Sequence, residues 1–166
     1  MKSLVLYFSV TGNTKNVAEE IARQMGSDIM EIRASHAYSK DYRMLMTRGI
    51  NEVNKGIKPD ICNIDVDLDK YDMVFIGTPN WLNTYAPAVG TFMDTHDIKG
   101  KIIVPFVTYD QGEKGHIDKD IRHIYKESRV VDAIAIENNH ELTLEKEVER
   151  EIARKNLHNL NMPIKH

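Results

Sequence analysis

Three unbroken apolar runs of strand length govern what this chain can fold into. Ser3-Leu4-Val5-Leu6-Tyr7-Phe8, Met73-Val74-Phe75-Ile76-Gly77 and Lys101-Ile102-Ile103-Val104-Pro105-Phe106-Val107-Thr108 lack the apolar-polar alternation of a half-solvated strand. Strands built from them must be covered on both faces, as in a parallel sheet. Helical stripes separate the runs. Val17, Ala18, Ile21, Ala22 and Met25 share one helix face, and Gly26 supplies a stop. Further helices fit residues 41–53 (with Met44, Leu45, Ile50 and Val53 toward a core), 88–95, 117–127 and 143–160 (with Leu144, Val148, Ile152, Leu157 and Leu160 as the stripe), and shorter strands fit 28–32 and 130–136.

Strand alternating with helix implies a parallel sheet of about five strands between two helix layers, joined by right-handed crossovers. A length of 166 residues suits one such domain rather than two. Pro105 conflicts with a fully paired central strand, because it has no N–H to donate. Residues 54–71, with Gly56, Pro59 and the acids Asp65, Asp67 and Asp69, read as a connecting loop with little fixed structure. The acids lack the glycine and terminal Glu of a calcium loop. Ligands of such sheets sit beyond the C-terminal strand ends, where neighbouring crossovers diverge to opposite faces. Three loops therefore matter.

Charge and composition narrow the function. With 25 acidic and 22 basic side chains the formal charge is −3, so no broad cationic face for nucleic acid is implied. No apolar run approaches the ~20 residues that span a bilayer, and the N-terminus lacks a secretory leader's pattern, so a cytoplasmic location without membrane insertion is expected. The single cysteine, Cys62, cannot form an internal disulfide, and the seven histidines show no paired zinc spacing. Cys62 is expected to be a small half-buried residue, and no metal is expected.

The strongest signal is the turn after the first run, Ser9-Val10-Thr11-Gly12-Asn13-Thr14, which leads directly into a helix. The first four N–H groups of a helix lack intrahelical partners and, with the positive end of the dipole, make a site for a phosphate monoester. Ser9, Thr11, Thr14 and Asn13 can add hydrogen bonds, and Gly12 lets the backbone curl around the anion. Helix capping alone would account for one such residue, not for five among six consecutive positions. There is no Gly-Lys-Ser/Thr of a nucleoside triphosphate loop and no Gly-x-Gly-x-x-Gly of a dinucleotide loop.

The segment resembles the FMN-phosphate loop of flavodoxins, Ser/Thr-x-Thr-Gly-Asn-Thr, and the resemblance continues through residues 71–79 and 100–115. It implies a flavodoxin-like three-layer α/β sandwich with a five-stranded parallel sheet in the order 2-1-3-4-5, without the insertion that splits the last strand of long-chain members. It also implies FMN as cofactor, the phosphate in the first loop and the isoalloxazine ring between the other two.

The second loop, Thr78-Pro79-Asn80-Trp81-Leu82-Asn83, holds the sole tryptophan. An indole is costly to leave exposed; it either stacks on the flavin or packs beneath a helix. Family members with Trp-Gly at this place differ from the Trp-Leu-Asn found in this chain. The third loop offers Thr108 and Tyr109 as ring contacts and Asp110, Gly112 and Gly115 around the pyrimidine edge, with Gly115 and His116 starting the next helix. His116 is a candidate proton donor or a plain helix-start residue. Asp110 and Glu113 would repel a reduced, anionic flavin. At about 10 Å and an effective dielectric of about 40, one carboxylate costs that anion roughly 0.8 kcal/mol, a few tens of millivolts for one electron.

Three functions remain open: an electron carrier serving a redox protein partner; a reductase fed by a nicotinamide dinucleotide donor, reducing a quinone-like acceptor, with a homodimer interface completing its site; and a non-redox module. No nucleophile elbow or other catalytic residue is apparent. The near-neutral charge departs from the strongly acidic surface of shuttle flavodoxins and favours the reductase.

Overall fold

A computed structural model describes residues 1–112, 114–139 and 142–160. The parallel strands β1 (Ser3–Tyr7), β2 (Asp28–Glu31), β3 (Met73–Pro79) and β4 (Ile102–Tyr109) are followed by two short segments, β5 (Arg129–Val130) and β6 (Ile134–Glu137). The order is β2-β1-β3-β4, with both short segments paired to β4 in the fifth position, so the expected 2-1-3-4-5 sheet is present. Helices α1 (Asn13–Met25), α2 (Tyr42–Lys55), α3 (Pro87–Thr95), α4 (Ile117–Ile124) and α5 (Leu144–Arg154) connect and close it.

Strand pleating sorts the core onto two faces. Val5, Phe75, Val104 and Phe106 pack with Val17, Ala18 and Ile21 of α1 and Val148 and Ile152 of α5. Leu4, Leu6, Val74, Ile76 and Ile103 pack with Leu45 of α2, Phe92 of α3 and Ile121 of α4. Because α1 leaves β1 on one face and α3 leaves β3 on the other, the crevice between these adjacent strands is open at their C-terminal ends.

The proline conflict is resolved by a bulge. Ile103 accepts from Val131 N–H at 2.9 Å, so odd-numbered residues of β4 turn their backbone groups toward the fifth strand. Between the two paired stretches, Val104 and Pro105 face three residues, Val131, Asp132 and Ala133. The missing N–H of Pro105 falls where ladder pairing has already lapsed, while its other edge keeps register with Ile76. The expected continuous strand over 130–136 is thus interrupted by three residues, with no inserted segment.

Other expectations need correction. In α2, Leu45, Gly49 and Glu52 face inward, whereas Met44 and Ile50 are exposed and Val53 is half-buried. Apolar periodicity misreads this helix because its inner face takes a polar partner and an indole. Residues 54–71 are more ordered than a free loop: Ser35 N–H donates to Asp60 O at 2.8 Å, Cys62 N–H to Arg33 O at 2.8 Å, and Leu68–Lys70 form a 3-10 turn. Cys62 is exposed rather than half-buried, because in this strap it is Ile64 that turns inward. The fourth helix stops at Ile124, short of 127. The last helix ends at Arg154, since Asn156 takes a left-handed φ of 53° before a 3-10 turn at Leu157–Asn159.

Candidate functional site: a three-loop cleft

A cleft of about 450 Å³ lies beyond the C-terminal ends of β1, β3 and β4. All three expected loops reach it: Val10, Thr11, Asn13 and Thr14 from the first, Pro79, Asn80 and Trp81 from the second, Thr108, Tyr109 and Asp110 from the third. Tyr42, Leu45 and Met46 of α2 form a further wall, with Gln111 and Asn138 at the third loop.

The first loop leaves the start of α1 open. Gly12 is the N-cap of α1, with φ 97°, and no side chain caps the helix. Ser9 Oγ accepts from Gly12 N–H at 3.1 Å, which folds the turn, and the first helical bond runs from Asn16 N–H to Gly12 O at 3.0 Å. The first-turn amides thus have no capping oxygen from the chain's own side chains, which fits a phosphate rather than a self-capped helix. Ser9 and Gly12 border the opposite side of the loop from the cleft.

Several of the predicted contact residues also brace the loops. Thr14 and Thr108 are 2% and 3% exposed, and their hydroxyls bond each other at 2.7 Å, tying the first loop to the third. Thr78 is fully buried; its hydroxyl donates to Pro79 O at 2.8 Å and accepts from Ala86 N–H at 2.8 Å. Asn80 N–H donates to Thr108 O at 2.9 Å, joining loops two and three.

The second loop is a tight hairpin. Trp81 and Thr84 exchange backbone bonds at 3.0 and 3.2 Å, and Leu82 and Asn83 both take positive φ, 52° and 69°. That is the signature of a type I′ turn, where glycine or asparagine is at ease and leucine is not. Leu82 is also exposed. Gly115 and Asn83 make a joint: His116 N–H donates to Asn83 O at 2.8 Å, and a Cβ on Gly115 would lie 2.6 Å from that oxygen. Gly115 therefore serves loop docking. His116 caps α4 and holds Asp120 at 2.8 Å, which also accepts from Thr84 Oγ1 at 2.6 Å. Its geometry is that of a brace. Gly112 takes a positive φ of 86° and does not line the cleft.

The indole of Trp81 is half-buried and does two things. It borders the cleft, and it packs edge-on against Phe8 at 5.6 Å and Tyr38 at 5.2 Å between ring centroids. Gly49 of α2 leaves room for it, with an ideal Cβ 3.4 Å from the indole. Tyr38 is clamped in turn: its hydroxyl donates to the buried Glu52 carboxylate, and Arg48 lies 3.7 Å over its ring and 3.5 Å from Glu52. Burial, and then the bond to Glu52, push the Tyr38 phenol well above its ordinary range. Tyr38→Phe is expected to cost about 2 kcal/mol, because it strips a donor from a buried carboxylate. It should also shift the emission of the sole tryptophan. An unchanged urea midpoint and spectrum would show that the clamp carries no load.

Tyr109 borders both the cleft and a groove along α5. Burial, and then Glu137, Glu147 and Glu151, raise its phenol pKa. Asp110 accepts from Asn138 Nδ2 at 2.7 Å at the cleft edge; Glu113 lies outside the described residues. The Tyr42, Leu45 and Met46 wall escaped sequence reasoning. Its signal was an excess of apolar residues on α2 beyond what one core stripe needs. Among the described residues no helix is long and apolar enough to cross a membrane, and no cluster of His, Cys, Asp or Glu could hold a metal.

Comparison with known proteins agrees with this architecture. A candidate flavoprotein from Bacteroides eggerthii DSM 20697 superposes with a TM-score of 0.78 at 28% identity, covering 93% of this chain and 98% of that one. A flavoprotein from Lactobacillus acidophilus NCFM, solved in complex with FMN, shares the fold with a TM-score of 0.73 at 20% identity, over 93% and 98% of the two chains. A flavodoxin from Haemophilus influenzae is 30% identical over 77 residues, which span 46% of this chain and only 30% of that protein. The flavodoxin family model matches residues 2–151, and the chain belongs to the flavodoxin family.

Proposed function

We propose that this chain holds FMN in the three-loop cleft and serves as an electron-transfer protein for a redox partner. The uncapped start of α1, whose Asn13 and Thr14 border the same cleft as Trp81 and the third loop, carries this reading. Thr11, Asn13 and the first-turn amides of α1 suit the phosphate. Trp81, Tyr42 and Met46 supply apolar surface for a ring and exclude water from it. The backbone of residues 108–111 suits the polar edge of the ring, and Asp110 places negative charge nearby. Bound FMN supplies reversible one- and two-electron chemistry; the chain supplies binding, shielding and charge.

A formal charge of −3 supports a second reading, a reductase taking electrons from a nicotinamide dinucleotide for a small acceptor. Purified protein is expected to be yellow and to release FMN on denaturation. Anaerobic NADH or NADPH then separates the readings: a flavin that stays oxidised supports the carrier, and rapid bleaching supports the reductase. Colourless protein that takes up no added FMN would refute both.

A further inference from the structure

A second cleft, of about 430 Å³, opens on the other side of the first loop, beyond the ends of β1 and β2. It shares only Val10 and Thr11 with the cofactor cleft. Lys15, Arg33 and Lys40 border it, and Glu31 is the one acid in its lining. In a chain of net charge −3 this is a local excess of positive charge. The rest of the wall is largely apolar, with Phe8, Ile32 and Tyr38 buried and Ala34 and Ala37 more open.

The walls are built rather than loose. Arg33 Nε donates to Glu31 Oε2 at 2.8 Å, placing a carboxylate and a guanidinium together at the end of β2. Backbone bonds from Ser35 to Asp60 and from Cys62 to Arg33 pin the segment that carries Arg33 and Ala34. Arg48 donates to the carbonyls of His36 and Ala37 at 2.8 and 3.2 Å, and the buried Glu52 holds Tyr38.

The volume is within the usual range of small-molecule sites, about 300–1,000 Å³. Its chemistry is bipartite: cations for a phosphate, and an apolar wall for a flat base. The Glu31 carboxylate can accept from ribose hydroxyls with its remaining lone pairs, and the adjacent Arg33 guanidinium can meet a phosphate. We propose that this cleft binds the adenosine-phosphate portion of a nucleotide, beside the cofactor rather than in its place. The inference goes beyond electron transfer and takes from that reading only the assignment of the neighbouring cleft to FMN.

Titration calorimetry of FMN-loaded protein with ADP tests it, with Arg33→Ala/Lys40→Ala as the variant. Saturable binding at one ADP per chain is expected, weakened about tenfold or more in the variant while bound FMN stays in place. Three results would overturn the proposal: no saturation at millimolar ADP, equal affinity in the variant, or release of FMN as ADP binds. If the protein never loads FMN yet binds ADP with the same charge dependence, the cofactor reading falls and this one stands.

Discussion

Thr11→Asp is expected to abolish FMN retention while leaving the fold intact. Thr11 is an exposed residue of the first loop and borders the cleft, so the substitution puts a carboxylate beside the bound phosphate without disturbing the core. At about 5 Å and an effective dielectric of about 20, each unit of phosphate charge meets about 3 kcal/mol of repulsion. With roughly 1.5 charges on the monoester near neutral pH, the total is about 5 kcal/mol, or three to four orders of magnitude in Kd. Fluorescence titration of the unloaded variant with FMN measures this directly. A Kd within tenfold of the parent protein's would mean that the phosphate does not sit at this loop.

Gly77→Ala should be the most damaging single-methyl change in the sheet. Gly77 pairs with Phe106 across β3 and β4, and the phenyl ring occupies the space a side chain would need. An ideal Cβ would stand 2.0 Å from Cζ and 2.2 Å from Cε2 of a fully buried ring. Either the ring or the strands must move, at a cost of about 3 kcal/mol. Urea unfolding should show a lower midpoint with an unchanged slope. Adding Phe106→Leu should recover part of the loss in a double-mutant cycle, since the residues are in direct conflict. If Gly77→Ala unfolds at the parent midpoint, the ring does not fill that space.

How legible was this in the sequence? The sheet was, because Leu4 to Leu6, Val74 to Ile76 and Ile102 to Val104 are apolar at every position and a strand of that kind is stable only between two layers. The first loop was too, since a hydroxyl-rich turn with a glycine between strand and helix is a local arrangement whose chemistry needs no distant partner. Local patterns failed where a residue's role depends on what reaches it from far along the chain. Thr14 and Thr108 are 94 positions apart, and the bond between their hydroxyls is a tie that no local pattern shows. Gly115 looks like a loop residue near a ligand, yet it is needed because Asn83 backbone arrives against it. Nothing in periodicity could orient α2, whose inward residues include a glycine and an acid.

The sequence by itself determined the layer architecture, the three strand-end loops that meet at the cleft and the hydroxyl-rich turn among them, because apolar continuity, helix periodicity and turn chemistry are each encoded within a few consecutive residues. Tertiary structure alone decided which loop residues border the cleft and which brace the loops, how Pro105 is absorbed by a bulge opposite, and that Trp81 leans on Tyr38, which Glu52 holds. Those outcomes depend on steric fit and hydrogen-bond satisfaction between segments that meet only when the sheet is assembled.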